Sequence, residues 1–295
     1  MSSSASSDPG AQAVPTCFRH PDRETYVRCT RCDRPICPEC MREAPVGHQC
    51  VQCVAEGQKS VPRTRTVFGG AVAQRPYVTL ALLGLIVVGF LAQAVVPQLT
   101  WLLGMWGGMV QGQVVGGVMA GQWYRLITAA FLHGGIVHLL FNGFALFIIG
   151  RQLEDWLGAG RYLALWVVSA LGGSVLSLLV QPEQLSVGAS GAIFGLFGAI
   201  FVIGRRLGKD TRFVVGLLVI NLLLTFTVPQ ISWTGHVGGL VTGLALAAAY
   251  AYLPRSAPAG PAGQQARTRL HIAATVVCVL VLGLLAAAGV LYWQR

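Results

Sequence analysis

The chain has 295 residues, of which 54% are hydrophobic and only 11% are charged, and its mean hydropathy is +0.62. Soluble domains are about one quarter charged, so this composition excludes an ordinary soluble protein and indicates a membrane protein. Lys and Arg outnumber Asp and Glu by 21 to 11. Because most of the basic residues flank apolar segments and form no stripe, we expect no nucleic-acid partner.

The N-terminal part of the chain is polar and then rich in cysteine. Residues 1–15 are small and polar, which predicts a disordered tail. This tail lacks the apolar core of a cleavable signal peptide, so we expect the following residues to stay in the cytoplasm. Seven of the eight cysteines lie within residues 16–55, whereas Cys278 stands alone in an apolar run, where lipid contact or packing is expected.

Residues 16–55 contain four pairs of Cys or His residues, each pair separated by two other residues. This spacing places two ligands on one tetrahedral ion, so the sequence predicts two structural zinc ions. The short separations favour interleaved pairs and resemble a B-box-type zinc finger. The expected ligand sets are Cys17, His20, Cys37 and Cys40 on one ion and Cys29, Cys32, Cys50 and Cys53 on the other.

Two alternatives remain open for this module. His48 is a ninth candidate for eight ligand positions, and we expect it to be spare because a cysteine pair has the better geometry. Disulfides would replace the metal sites, but they conflict with the expected cytoplasmic placement. Glutamates interrupt the basic residues, so a protein partner or a structural role is expected for the module rather than nucleic-acid binding.

Seven apolar segments follow a basic linker at residues 56–76. A membrane-spanning helix needs about 20 apolar residues. The predicted spans are Tyr77–Val96, Ile136–Leu153, Tyr162–Val180, Gly188–Gly204, Phe213–Val228, Gly235–Leu253 and Leu270–Trp293. Basic residues cluster on alternate loops, which predicts a plasma (inner) membrane protein with a cytoplasmic N-terminus and an extracytoplasmic C-terminus.

Two connections divide these spans. Residues 97–135 carry three tryptophans and many glycines, so we expect them to lie in the outer membrane interface. Residues 254–269 are rich in Pro, Gly and Ala, which predicts a flexible linker before a seventh helix at 270–295. The predicted fold is therefore an all-α polytopic membrane protein: a six-helix core at 77–253, one appended transmembrane helix and a small cytoplasmic zinc-binding module.

Polar residues within membrane spans are costly and are by default functional candidates. Here they stand near the expected outer ends of three spans. His138 and Asn142 are four residues apart and share one helix face. Ser190 lies in "GASG", which alone is more typical of helix packing, but His236 could serve as its base. Gly239 and Gly243 follow His236 and predict close packing against the serine helix.

Together these motifs resemble the rhomboid family of intramembrane serine proteases. The resemblance covers about Tyr77–Leu253 and rests on "WYRLITAAFLH", His138 with Asn142, "GASG" and "HVGGLVTG", in that order. It implies that Ser190 is the nucleophile and His236 the general base. It further implies an oxyanion hole formed by His138, Asn142 and the Ser190 amide.

The resemblance also assigns structural roles. Arg125 would organise the long first loop and Glu154 would be structural at the cytoplasmic end of the second span. Phe194 stands where the family often has a tyrosine that stacks on the catalytic histidine, so stacking is expected without the hydroxyl. For His133 we expect a structural role in the loop, and for His271 no particular role.

The sequence therefore predicts an intramembrane endopeptidase that cleaves transmembrane segments of membrane proteins at the lipid bilayer, with no cofactor for catalysis. The alternative is a rhomboid-like pseudoprotease that binds or dislocates membrane proteins without cleavage, against which the intact Ser190 and His236 argue. A transporter would require acidic residues or ions at mid-membrane, and the predicted spans offer none.

Overall fold

The computed structural model describes residues 14–60, 65–70, 75–228, 231–253 and 260–295. Most of the predicted tail at 1–15 and parts of both predicted linkers therefore lie outside the described residues. The chain divides into two compact units, Met1–Arg63 and Thr64–Arg295.

The first unit is built around its cysteines. A short 3-10 turn at Pro38–Cys40 leads into a hairpin of β1 (Met41–Glu43) and β2 (His48–Cys50), followed by helix α1 (Val51–Ser60). Its buried core consists of Ile36 and six of the seven cysteines, the seventh of which is half-buried against them. A core this small is too weak to fold without a further cross-link or metal. Helix α1 also occupies residues 56–60, where the sequence predicted a linker.

The second unit is mostly helical. Its helices are α2 (Tyr77–Val95), α3 (Leu99–Leu103), α4 (Arg125–Thr128), α5 (Ile136–Leu157), α6 (Ala159–Val180), α7 (Ser190–Arg206), α8 (Arg212–Thr227), α9 (Trp233–Tyr252) and α10 (Pro261–Trp293). One small hairpin, β3 (Met109–Val110) with β4 (Gln113–Val114), lies in the connection between α3 and α4. Two-residue strands are too short for a sequence pattern to reveal, so the all-α prediction for the membrane core missed this hairpin.

Within the described residues, four helices are long and apolar enough to cross a membrane: α2, α5, α6 and α10. Helices α7 and α8 have only 17 and 16 residues, and α9 has 20 residues interrupted by His, Thr and Gly. The chain is thus a multi-pass membrane protein, whereas the crossing number of seven stays a prediction.

Helix α9 packs against α6 and α7 with backbone nearly touching backbone. A Cβ atom added to Gly239 would overlap the Gly191 carbonyl oxygen, and one added to Gly243 would overlap Gly195. On the α6 side, a Cβ on Gly238 would likewise overlap Gly172. Small residues allow such close approach in lipid, where packing drives helix association. The predicted packing of Gly239 and Gly243 against the serine helix is confirmed.

Helix α10 is longer than predicted and is fastened to the core by a buried polar cluster. It begins at Pro261, nine residues before the predicted start, so part of the expected linker is helical. Arg161 on α6 donates from Nε to His271 Nδ1 at 2.7 Å, and His271 Nε2 lies 3.1 Å from the Tyr250 carbonyl oxygen on α9. His271 is 2% exposed. The expectation that His271 has no particular role was therefore wrong.

The connection from α3 to α4 is organised by Arg125. This buried side chain donates to the Trp101 carbonyl at 2.5 Å, to the Gly104 carbonyl at 2.8 Å and to Gln122 Oε1 at 2.6 Å. One guanidinium thus joins residues more than twenty positions apart. These contacts confirm the expected role of Arg125.

Glu154 joins α5 to the start of α2. Its carboxylate, 1% exposed, accepts from the Val78 amide at 3.0 Å and from the Thr79 amide and hydroxyl at 2.9 and 2.8 Å. The first amides of a helix have no acceptor within it, and they favour a negative charge. Glu154 is therefore structural, as expected, and it fixes where α2 begins relative to α5.

Candidate active site and metal centres

Ser190 is the first residue of α7. The turn before it is fixed by the Gly188 amide, which donates to the Ala129 carbonyl at 2.9 Å. The Ser190 side chain is half-buried, so a ligand can reach it. Because the amides of a first helical turn lack acceptors in their own helix, they remain free to bind a negatively charged oxygen.

His236 lies in the first turn of α9, and two contacts of its ring determine its orientation. The Ser232 hydroxyl caps α9 by accepting from the Gly235 amide at 3.3 Å. The imidazole stacks on the ring of Phe194, with centroids 4.0 Å apart and planes at 15°. Its Nδ1 lies 2.6 Å from Thr225 Oγ1 on α8. Phe194 is one helical turn beyond Ser190, so this stacking brings His236 to the serine end of α7.

His138 reaches the same space from α5 because residue 188 is a glycine. A Cβ atom on Gly188 would lie 2.7 Å from His138 Cε1, 2.8 Å from His138 Nε2 and 3.6 Å from Ser190 Oγ. Gly188 has a φ of +132°, which also disfavours any other residue. The Gly134 amide donates to His138 Nδ1 at 3.4 Å. In a neutral ring the proton is then on Nε2, a ring atom that lies close to residue 188.

Asn142 lies one turn further along α5 and is buried at 6% exposure. Its Nδ2 has no hydrogen-bond partner among the described residues. A buried amide donor without an acceptor costs about 1–3 kcal/mol, which is expected where a ligand oxygen completes the site. The structure thus provides side-chain donors from His138 and Asn142 and backbone donors at the start of α7.

His133 lies next to His138, and neither nitrogen of its ring has a hydrogen-bond partner among the described residues. Its buried ring meets His138 edge-on, with centroids 5.1 Å apart. Gln93 of α2 bonds both backbone groups of His133, accepting from its amide at 2.8 Å and donating to its carbonyl at 3.3 Å. The expectation of a structural role for His133 agrees with these contacts.

A small cavity of about 40 Å³ adjoins Ser190. It is lined by small side chains and backbone, including Ser174, Ser177, Gly191 and Gly235. At its edge the Ser177 and Thr234 hydroxyls lie 2.9 Å apart, and Thr234 donates to Gln181 Oε1 at 3.2 Å. The volume would hold roughly three water molecules, so it can take only a small group.

Sequence reasoning missed Thr225 and Gln93. Thr225 lies in "LLLTFT", which also contains Thr227, and Gln93 lies in the apolar stretch "FLAQAVV". The default rule that intramembrane polar residues are functional would have included both. Neither lies in a motif, so only the three-dimensional contacts distinguish them from other hydroxyls and amides.

In the first unit the structure brings the eight predicted ligands together in two groups. Cys17, His20, Cys37 and Cys40 form one and Cys29, Cys32, Cys50 and Cys53 form the other. Their members match the predicted sets, while His48 lies outside both. All eight cysteines of the chain are described and none is in a disulfide, so the disulfide alternative is not supported.

The spacing within each group suits a tetrahedral ion. His20 Nδ1 lies 3.3, 3.5 and 3.8 Å from the sulfurs of Cys37, Cys40 and Cys17. Cys32 and Cys50 have sulfurs 3.8 Å apart. Tetrahedral bonds of about 2.3 Å to sulfur and 2.05 Å to nitrogen imply edges of ~3.8 and ~3.6 Å. The groups therefore fit a metal ion.

Backbone amides favour thiolate, the form that binds metals, at one sulfur in each group, whereas burial raises the pKa of Cys40 to about 11 and that of Cys53 to about 12. Burial raises the pKa of Cys17, but amide donors including that of Arg19 outweigh it and bring the pKa to about 6. Cys29 has the same balance, with burial opposed by the Cys50 amide at 3.2 Å and by other amides, and its pKa is also about 6. Each group thus contains one sulfur that is readily ionised at neutral pH.

Comparison with known proteins connects this geometry to a family. A model of the rhomboid domain matches residues 120–253. The chain is 36% identical over 175 residues to the rhomboid protease GluP of Bacillus subtilis strain 168, covering 57% of this chain and 33% of GluP. It is 36% identical over 148 residues to YdcA of the same organism, covering 48% of this chain and 74% of YdcA. For rhomboid-like protease 3 of Toxoplasma gondii the identity is 33% over 137 residues, covering 44% and 52%.

Proposed function

The chain belongs to the rhomboid family, and we propose that it is an intramembrane serine endopeptidase with a Ser190–His236 dyad. The observation that carries this proposal is the convergence at the start of α7. There, His236 stacks on Phe194 of the serine helix, and the His138 ring and the Ser190 hydroxyl border the same small space at Gly188. Similarity to named rhomboid proteases supports the same reaction class.

In the proposed reaction His236 Nε2 takes the proton of Ser190 Oγ as the oxygen attacks a peptide carbonyl. The carbonyl oxygen becomes an oxyanion, which accepts from His138 Nε2, Asn142 Nδ2 and the Ser190 amide. The His236 imidazolium then gives its proton to the leaving amine, and water hydrolyses the acyl-enzyme. The unpaired Asn142 Nδ2 donor supports the proposed oxyanion hole, because an oxyanion would accept its hydrogen bond.

The proposed substrates are membrane proteins with small or helix-breaking residues near the cleavage site. A helical backbone satisfies its own carbonyls, so the scissile peptide must unwind before Ser190 can attack it. The small cavity beside Ser190 supports a small side chain at the cleaved position. Once both parts of the cleaved substrate have dissociated, Ser190 would be free to attack another substrate.

A serine-directed fluorophosphonate tests the nucleophile in detergent-extracted protein. The wild-type chain should be labelled at Ser190, while Ser190→Ala and His236→Ala should not. Cleavage of a model transmembrane substrate should follow the same order, since losing a nucleophile or base costs about 10⁶ in rate. A folded wild-type protein that is neither labelled nor active would favour the pseudoprotease alternative.

For the first unit we propose two structural zinc ions in a B-box-like module at residues 16–55. Its four-ligand groups have no open position, as in structural sites, and zinc would supply the folding energy that the small core lacks. We propose that the surface of this module binds a protein partner. Metal analysis of the full-length protein should give two zinc ions per chain. His20→Ala should lose one ion, whereas the matched control His48→Ala should keep both.

We also propose the domain organisation and topology that the sequence predicts: a core at 77–253, an appended transmembrane helix, which as α10 begins at Pro261 instead of residue 270, and an inner-membrane location. The N-terminus would be cytoplasmic and the C-terminus extracytoplasmic, as the basic loops suggest. Reporters fused before Ser2 and after Arg295 should lie on opposite sides of the membrane. Two reporters on the same side would contradict seven crossings.

A further inference from the structure

The inference concerns the edge of His236 that faces away from the serine helix. Its Nδ1 lies 2.6 Å from Thr225 Oγ1, and Thr225 is 3% exposed. Thr225 is the one residue of α8 that is fully buried. The helix thus places its single buried hydroxyl on the candidate base.

The hydroxyl has one proton, and a second contact shows where it goes. Thr225 Oγ1 also lies 2.7 Å from the Asn221 carbonyl oxygen, which can only accept. If the threonine proton is donated there, its oxygen can only accept from His236, and Nδ1 must carry a hydrogen. The lone pair of the neutral ring is then on Nε2, the nitrogen that a base needs toward Ser190.

Donation from a threonine to the carbonyl four residues earlier is common in helices and by itself indicates no function. Thr227, on the same helix, makes the same kind of contact to Leu223 at 2.9 Å and is exposed. Thr225 differs because its oxygen has a second buried partner. Because the bond to the Asn221 carbonyl uses the Thr225 proton, Thr225 Oγ1 can act toward His236 only as an acceptor.

We propose that Thr225 is a positioning residue that holds His236 in the Nδ1–H tautomer and in the plane set by Phe194. The proposal rests on the dyad proposed above. When Ser190 gives its proton to Nε2, the ring gains a positive charge, and Nδ1–H donates more strongly to Thr225 Oγ1. The proton later leaves from Nε2, so Thr225 neither gains nor loses one.

This role corresponds to that of the carboxylate in a three-residue serine protease site, which fixes tautomer and orientation. No Asp or Glu pairs with His236 among the described residues. A buried carboxylate is costly within a bilayer, whereas a hydroxyl satisfied by Asn221 remains neutral. Thr225 therefore supplies orientation without a second buried charge.

The test uses three variants of the full chain on α8. Thr225→Val keeps the shape and removes the hydroxyl, Thr225→Ser keeps the hydroxyl, and Thr227→Val is the matched control. For fluorophosphonate labelling of Ser190, Thr225→Val should lower the maximal rate about 10- to 100-fold, as for other partners that fix a histidine tautomer. The probe's half-saturating concentration should not change. Thr225→Ser should restore most of the rate, and Thr227→Val should match wild type.

Labelling of the Thr225→Val protein at the wild-type rate would overturn the inference and leave the proposed dyad intact. An equal loss in Thr225→Val and Thr225→Ser would also overturn it, because packing and not the hydroxyl would then be responsible. If wild type itself is not labelled, the proposed dyad fails instead. Should Thr225→Val not fold, ¹⁵N spectra of His236 in wild type decide: a proton on Nδ1 supports the inference and one on Nε2 contradicts it.

Discussion

Helices α7 and α8 both contact α9 near His236, but they hold it in different ways. The contact with α7 is made by glycine backbones and by the Phe194 stack, and eleven residues of α7 are buried. The contact with α8 is smaller: it consists of the Thr225 hydroxyl on His236 and the ring of Phe226 near that of Trp233, and Thr225 is the single buried residue of that helix. The proposed nucleophile and base therefore lie on a tightly packed pair, while the orientation of the base depends on a loosely packed neighbour.

The difference separates two requirements of a dyad. The distance between the proposed nucleophile and the proposed base is set by α7 and α9, because the backbones of these helices cannot come closer or slide without collision. The tautomer of His236 is set by α8. Because this helix buries only one residue, it can move away from α9 at a lower free-energy cost. Substitutions on the two helices should accordingly differ in kind: loss of folding from α7 and α9, and loss of rate alone from Thr225.

The largest effect is expected at the α7–α9 contact. Gly239→Ala would force the Gly191 carbonyl away, so both activity and resistance to thermal unfolding should be lost. The matched control is Gly216→Ala on α8, where an added Cβ meets nothing within 4 Å. It should leave melting temperature and labelling unchanged. A stable, active Gly239→Ala protein would contradict the packing described.

A smaller loss is expected where α7 begins. Gly188→Ala would push the His138 ring aside and strain a φ of +132°. Misplacing one oxyanion donor should lower the cleavage rate about 10²- to 10³-fold. Gly121 has a φ of +87° with open space around it, so Gly121→Ala controls for backbone strain. Equal rates in the two variants would mean that the His138 contact is unimportant.

The packing of α7 and α8 can be compared directly at two phenylalanines. Phe197 on α7 is 3% exposed, whereas Phe226 on α8 is 64% exposed. Phe197→Ala should cost about 2–3 kcal/mol of unfolding free energy, below the range of water-soluble cores because lipid removes part of the transfer term. Phe226→Ala should cost much less. Similar melting temperatures for both variants would remove the contrast between α7 and α8.

The smallest effect is expected at Phe194. Phe194→Tyr keeps the ring on His236 and adds a hydroxyl, so labelling of Ser190 should change by no more than a few fold. Phe194→Ala removes the stack and should lower labelling clearly more. If both variants label at the wild-type rate, the Thr225 contact alone suffices to orient His236.

How far the sequence could predict this structure depended on whether a signal was local. "GASG" and "HVGGLVTG" name residues that meet across one helix contact, so motif spacing was enough. Thr225 has no such spacing, since its role arises only because α8 passes His236. The start of α10 was missed because Pro and Gly dominate the preceding segment, although proline in a first helical turn is a known start signal.

The network of Arg161, His271 and Tyr250 determines whether α10 stays attached to the core or can separate from it in the bilayer. It holds one part of α10 against α6 and α9, and Trp293 Nε1, donating to the Leu179 carbonyl at 3.3 Å, holds the other end. Lipid tails are as apolar as the side chains of α10, so apolar burial alone would not keep this helix in place. The polar bonds at both ends therefore make α10 a fixed part of the second unit and not a separately diffusing helix.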